Sequence, residues 1–379
     1  MNNSDFSRQT SPQGLRKPVS IYQKAHIDLP LLLIVFVLIG LGLIALYSAD
    51  YNGLHKFNRQ LANLSVGVVV MLFFSRVHPR HFQYWSPIVY LIGLVMLVLV
   101  LYTPLGVEAN KATRWLKVPI IGRFQPSEII KLSLPIVVAG YLSRFAVPVS
   151  IKYVAVALLI IVIPTYLINR QPDLGTSLLI AASGLVVIFF AGLRWRWIFL
   201  SIIIGIFGSI AMWHYGLEVY QQKRVLAVLD SSDTLGASYH ANQAAIAIGS
   251  GGWSGKGFLQ GTQSRLNFVP ENHTDYIITV IAEEFGFVGF LVLLIIYLLL
   301  IIRGFYIATQ AYNNFQRYLA ASLTFTFFIY VFVNIAMVSG ILPVVGVPLP
   351  LVSYGGTSVV TLLASLGVLM SISTHRHNE

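Results

Sequence analysis

The sequence predicts an all-α polytopic membrane protein: ten transmembrane helices, both termini cytoplasmic, and a large extracytoplasmic loop between helices 7 and 8. Three observations carry this prediction. The first is composition: of 379 residues, 56% are hydrophobic and only 10% charged, with a mean hydropathy of +0.75. A soluble domain carries about 25% charged residues, and a globule of this size could not hide so much apolar surface from water. The second is that apolar runs recur at roughly the twenty-residue length that crosses a bilayer. The third is that Lys and Arg gather in alternate short loops, the bias that sets orientation.

The basic stretch 1–28 precedes the first apolar run and reads as a cytoplasmic tail. The run Leu29 to Ala49 is too long for the apolar core of a secretory signal and lacks an Ala-x-Ala exit, so it reads as a retained first helix. Spans follow at 29–48, 60–76, 84–103, 127–144, 153–169, 175–193, 197–214, 276–302, 318–338 and 350–372. No charged residue lies between Arg317 and Arg376, an interval too long for one helix, and Gly340, Pro343, Gly346, Pro348 and Pro350 mark its break. A single membrane domain then covers 29–373, its outer loop about 215–275, and residues 374–379 form a cytoplasmic tail.

With the N-terminus inside, the inner loops hold Arg76, Arg80, Arg144, Lys152, Arg194, Arg196, Arg303 and Arg317 and no acid. Asp50, Glu108, Asp173, Glu218 and Glu271 fall outside. Lys56, Arg59, Lys111, Arg114, Lys117, Arg123 and Arg265 lie outside too, and that much positive charge on one face suits an anionic ligand. The chain has no cysteine, which excludes disulfides, thiol catalysis and cysteine-ligated metals.

Four polar clusters interrupt the apolar pattern. The segment 251–289 is rich in glycine and acids. An ionisable group inside a bilayer costs about 3 kcal/mol or more, so Asp275 beside the eighth span is the first candidate for function. It fits equally well as the N-cap of that helix. Glu283 and Glu284 lie about 80° and 180° round the helix from Asp275, so at most one of them faces the same cavity. Gly251-x-x-x-Gly255-Lys256 departs from a phosphate loop in spacing and context, and its glycines suit tight turns. His273 beside Asp275 suggests a relay or a metal site, yet no triad or zinc pattern accompanies it. Asn272-His273-Thr274 also fits a glycosylation sequon, a short pattern of little weight.

The second cluster is Lys111-Ala-Thr-Arg114-Trp115, followed by Gln125-Pro126-Ser127-Glu128-Ile-Ile-Lys131. Pro126 and Ser127 are helix-start signals, and Glu128 and Lys131 at i, i+3 share a face and can pair. A snorkelling pair and a phosphate site built on Arg114 and Lys131 both fit. The third, Gln171-Pro172-Asp173-Leu174-Gly175-Thr176, starts a helix with Asp173 as its cap. In the fourth, Asn334 through Gly356, repeated Pro and Gly leave backbone groups that membrane depth tolerates only when buried or lining a wet cavity.

These segments resemble the SEDS family of peptidoglycan glycosyltransferases. The likeness rests on WSGKGFLQGTQSRLNFVPENHTDYIITVIAEEFG, QPSEIIK, QPDLGTS and NIAMVSGILPVVGVPLPLVSYGGTS, in this order over about residues 20–375. Details such as GTQS before HTD resemble the cell-elongation branch more than the cell-division branch. The resemblance implies that the substrate is lipid II, a disaccharide-peptide on undecaprenyl pyrophosphate, and that the loop aspartate, Asp275, is catalytic. It places important basic and aromatic positions at Arg114, Trp115 and Lys131, and Lys111 and Glu128 of the same cluster join them as substrate-binding candidates. It implies a class B penicillin-binding protein as partner, with MreC, MreD and MreB in the wider complex. Asp275 as general base and Asp275 as ligand to a divalent cation, Mg or Mn, both remain open. A lipid flippase is the rival reading, since broken helices and buried charges also mark transporters.

Overall fold

The computed structural model describes residues 26–50, 53–104, 106–109, 112–118, 122–217, 219, 222, 225–226, 239–264 and 271–375. The main elements are α1 (Leu29–Ala49), α2 (His55–Arg76), α3 (Pro79–Tyr102), β1 (Gly106–Ala109), β2 (Ala112–Val118), β3 (Gly122–Phe124) and α4 (Ser127–Leu142). They continue as α5 (Ile151–Asn169), α6 (Leu174–Phe190), α7 (Trp195–Tyr215), α8 (Tyr239–Gly251), α9 (Ile277–Thr309), α10 (Asn314–Val338) and α11 (Gly356–Thr374). Eight of these helices, α1, α2, α3, α5, α7, α9, α10 and α11, are long and apolar enough to cross a membrane. The α6 helix is apolar but shorter, and α4 has 16 residues.

Helix ends follow local chemistry. Asp28 caps α1, its carboxylate accepting from Leu31 N at 3.1 Å. Arg303 of α9 holds the same carboxylate at 2.7 Å, and Ser373 of α11 donates to it. Burial raises the Asp28 pKa, but these hydrogen bonds outweigh it and leave the group below its ordinary value. Three helices are thereby tied at the end where the chain enters. Close helix contacts rest on small residues, as membrane interiors require. Between α2 and α11, a Cβ on Gly67 would lie 2.4 Å from Leu363 Cδ1, and one on Gly367 would lie 2.4 Å from Met71 O.

Two expectations need correction. The segment between α3 and α4 is not plain loop, and the fold is not purely helical. β1 pairs antiparallel with β2 (Val107 opposite Trp115) and β2 with β3 (Leu116 opposite Phe124). Alternating Thr113, Trp115 and Lys117 gave a period-two signal too short to stand out among the spans. The segment 215–275, expected as a loop, contains a helix, α8, which packs on α9.

The last three spans place the site. α9 is broken at Gly286 (φ 67°), and the loop after α8 fills the break. Lys256 N donates to Glu283 O at 3.0 Å, Gly257 N to Glu284 O at 2.9 Å, and Phe287 N to Gly252 O at 2.9 Å. These bonds pair backbone groups that the break would otherwise strand in an apolar setting. The eleventh helix starts at Gly356, later than the expected span at 350, because Val344 to Gly355 form a non-helical re-entrant segment.

Candidate functional site

A cavity of about 450 Å³ lies between the sheet, the first turns of α4 and α6, the turn before α9 and the re-entrant segment. Its polar wall includes Arg114, Trp115, Gln125, Glu128, Lys131, Asp173 and Asp275. Further along α4, α6, α10 and α11 the lining is mixed, Leu132, Ile180, Leu323, Phe327 and Leu362 alternating with the hydroxyls of Ser183, Thr326, Thr361 and Ser365. The cations at the polar end suit an anionic group, and the mixed lining beyond them offers both apolar surface and hydroxyls.

Each polar side chain is held by local structure. Arg114 projects from β2, and its guanidinium donates to Gln171 O at 3.3 Å and to Pro172 O, carbonyls of the turn before α6. It lies 3.7 Å from Asp173 Oδ2. Asp173 is the N-cap of α6, as its sequence context suggested, and its Oδ1 accepts from Thr176 N at 3.3 Å. One carboxylate thus caps a helix and orients an arginine. The expected Glu128–Lys131 pair forms at 2.6 Å, with Glu128 only 3% exposed and Lys131 also 5.9 Å from the Tyr330 ring. Glu128 Oε2 has no partner among the described residues. The pair faces the cavity, so it is not a snorkelling contact with the membrane surface.

Asp275 is half-buried and lines the same cavity. The N-cap position of α9 is Tyr276, which makes no side-chain cap bond, so Asp275 stands one residue before the position expected for it. The turn 271–276 carries Asp275, and its backbone is fixed from two sides. Asn334 Nδ2 donates to Asp275 O at 2.8 Å, and Tyr354 N donates to His273 O at 2.9 Å. A Cβ built on Gly346 (φ 73°) would stand 3.6 Å from Asp275 Oδ2, so the re-entrant segment runs directly beside the carboxylate.

Neither glutamate of α9 lines this cavity. Glu283 is fully buried and accepts from Lys256 Nζ at 2.7 Å, from Thr262 N, Gln263 N and Ser264 N, and from Ser264 Oγ. Glu284 accepts from Ser48 Oγ of α1. The helical spacing that set them apart from Asp275 is therefore realised, and both serve the loop that fills the break in α9.

His273 faces away from the Asp275 cavity, with its Nε2 2.9 Å from Lys56 Nζ. Burial lowers its pKa first and Lys56 next, while Glu271 and Asp50 oppose them. It forms no relay with Asp275 in this arrangement. Lys111 lies outside the described residues. Among the described residues, no group of three or more His, Cys, Asp or Glu could hold a metal ion.

Two buried amides support the site from behind its wall: Asn334, which the sequence placed in the fourth polar cluster without a role, and Gln60, which sequence reasoning missed. Gln60 is buried on α2 and clamps the re-entrant backbone, donating to Ser353 O at 3.0 Å and accepting from Gly355 N at 3.2 Å. For Asn334 the available signal was an amide side chain inside the apolar run VFVNIAMV, where a polar group needs a reason to be; Gln60 lies in the polar stretch HKFNRQ and gave no such signal.

A family model described as a cell cycle protein, FTSW_RODA_SPOVE, matches residues 29–378. The peptidoglycan glycosyltransferase MrdB of Escherichia coli K12 is 46% identical over 358 residues, covering 94% of this chain and 96% of that protein. The Bacillus subtilis stage V sporulation protein E is 34% identical, covering 93% and 98%. Among solved structures, a chain from a study of how a peptidoglycan synthase complex coordinates polymerization and crosslinking superposes with a TM-score of 0.81 at 30% identity, covering 93% of this chain and 99% of that one. The rod shape determining protein RodA of Thermus thermophilus superposes with a TM-score of 0.70 at 28% identity, covering 93% and 98%.

Proposed function

The chain belongs to the FtsW/RodA/SpoVE family, and from that membership we propose that it is a peptidoglycan glycosyltransferase that polymerises lipid II during cell elongation. It is a multi-pass protein of the bacterial cytoplasmic membrane. The observation that carries the activity is one cavity shared by a carboxylate, Asp275, and two cations, Arg114 and Lys131. Identity of 46% to MrdB, against 33% to an FtsW of Trichlorobacter lovleyi, supports the elongation branch over the division branch.

The chemistry follows from the groups present. A sugar hydroxyl of one substrate attacks the anomeric carbon of another; the bond from that carbon to phosphate breaks, and lipid pyrophosphate leaves. Asp275 takes the hydroxyl proton as general base. Lys131 and Arg114 offset the charge that develops on the departing phosphates. Glu128 and Asp173 hold those two cations in place. Trp115 lies on the cavity wall beside Arg114, where its ring suits contact with a sugar face. Lys111, three residues before Arg114 in sequence, adds a further positive charge to the same stretch of chain.

A divalent cation, Mg or Mn, is a further part of the reading. Mg binds through one or two carboxylates together with substrate phosphates and keeps several waters, so the single carboxylate Asp275 fits it. The cation would supply charge neutralisation at the pyrophosphate.

Ten crossings complete the topology, with α4 and α6 added to the eight longer spans. Both termini are then cytoplasmic, and the segment between α7 and α9 lies outside. The partner is a class B penicillin-binding protein, which supplies transpeptidation, and MreC, MreD and MreB join the wider complex. The synthase-complex neighbour supports the penicillin-binding partner.

The test uses the chain purified with that partner and supplied with lipid II. Asp275→Asn keeps the size and an acceptor oxygen but loses the base, and it is expected to form no glycan strands while eluting and melting like wild type. Retained glycan synthesis sinks the base assignment. Transbilayer movement of lipid II without strands would instead favour a flippase.

A further inference from the structure

We propose that Asn334 is the positioning residue of this site: it sets the Asp275 carboxylate against the re-entrant segment, and the proposal rests on the reading of Asp275 as the base. Asn334 sits in the last turns of α10 and is wholly buried. Its Nδ2 donates at 2.8 Å to Asp275 O and at 2.7 Å to Val347 O. Two hydrogens of one amide nitrogen therefore join two stretches of chain that are far apart in sequence and lie outside any helix. One carries the carboxylate. The other carries Gly346, whose Cα faces Asp275 Oδ2 closely enough that an added Cβ would lie 3.6 Å from it. The Asn334 bridge thus sets the gap in which the carboxylate sits.

The chemistry of the bridge needs an amide. Both partners are carbonyl oxygens, so the residue must donate twice. A carboxylate donates nothing and would repel both carbonyls. A hydroxyl donates once, and an aliphatic side chain not at all. The Asn334 Oδ1 has no partner among the described residues, so the residue is kept for its two hydrogens. An amide left half-satisfied inside an apolar helix is costly, and such groups in membranes serve function by default. General-base catalysis requires the carboxylate within hydrogen-bond reach of the attacking hydroxyl. A displacement of about 1 Å can cost on the order of 100-fold in rate. Substrate binding by Arg114 and Lys131 does not pass through Asn334, so kcat and KM separate.

The experiment measures kcat and KM for lipid II polymerisation by the chain purified with its transpeptidase partner, normalised to folded protein. Asn334→Ala is expected to lower kcat by roughly 100-fold with KM within about two-fold of wild type. Asn334→Gln keeps both donors and is expected to regain at least roughly ten-fold of that loss. The proposal is overturned if Asn334→Ala keeps kcat within about two-fold, if KM rises while kcat holds, if Asn334→Gln is no better than Ala, or if neither variant folds. An active Asp275→Ala enzyme defeats the base reading itself; an inactive one beside a fully active Asn334→Ala defeats only the positioning role.

Discussion

Gly255→Ala and Gly249→Ala make the same chemical change in the same part of the chain, and the structure gives them opposite signs. Gly249 lies in α8 with nothing within 4 Å of an added Cβ. Alanine there removes a flexible residue from a helix and should stabilise by about 0.5–1 kcal/mol. Gly255 has φ +79°, and an added Cβ would sit 2.1 Å from Glu284 O and 2.4 Å from Glu284 C. The left-handed backbone alone costs about 1–2 kcal/mol with a side chain. The obstacle is backbone, so the loop must lift off the break in α9. It then gives up the bonds from Lys256 N to Glu283 O and from Gly257 N to Glu284 O, each worth about 1 kcal/mol. The expected loss is about 3–4 kcal/mol, a large share of a membrane domain's margin. Thermal unfolding in detergent, followed by the fraction of protein that still elutes as a single species, reads both variants side by side. Equal melting of Gly255→Ala and wild type would refute the reasoning, because it would mean the loop does not seal the helix break.

Two further results are expected. Lys131 and Glu128 form a pair in which one member is 3% exposed, so Lys131→Met or Glu128→Gln alone strands a buried charge or donor and should cost about 3–5 kcal/mol. The double substitution should cost much less than the two singles together, and additivity in that cycle would show that the pair is not coupled. The His273 pKa lies below its ordinary value of 6.5, so above that value the group adds no pH dependence. As pH falls below 6.5, the unfolded chain takes a proton before the folded one does, and stability is lost down to the folded pKa. Removing a neighbouring cation with Lys56→Gln raises the folded pKa toward the ordinary value, so the drop in melting temperature between about pH 7.5 and 5.5 should shrink. An unchanged drop would remove Lys56 as a cause.

Much of the fold could be read from the chain because a bilayer allows few solutions. An apolar run such as Leu29 to Ala49 must satisfy its own backbone, so composition and length decide its structure. Local signals also held where they depended on neighbours in sequence: Asp173 caps α6, and Glu128 meets Lys131 one turn along α4. The small sheet was not legible, because three strands of at most seven residues give too brief a period-two signal. Asp275 stood out in the sequence as a polar group beside an apolar run, but its place on the cavity wall two residues before α9 depended on what holds the turn.

Sequence alone determined the membrane class, most helix positions and the residue types available for chemistry, since these follow from solvent and from contacts a few residues apart. Tertiary structure decided which charges share a cavity. Arg114 reaches Asp173, Asn334 joins Asp275 to Val347, and Gln60 grips Ser353 across separations no periodicity encodes. It also diverted Glu283 and Glu284 from the cavity to the loop that closes the break in α9. The physical reason is that hydrogen bonds and ion pairs between distant segments depend on how helices cross, and crossing is set by packing over the whole bundle.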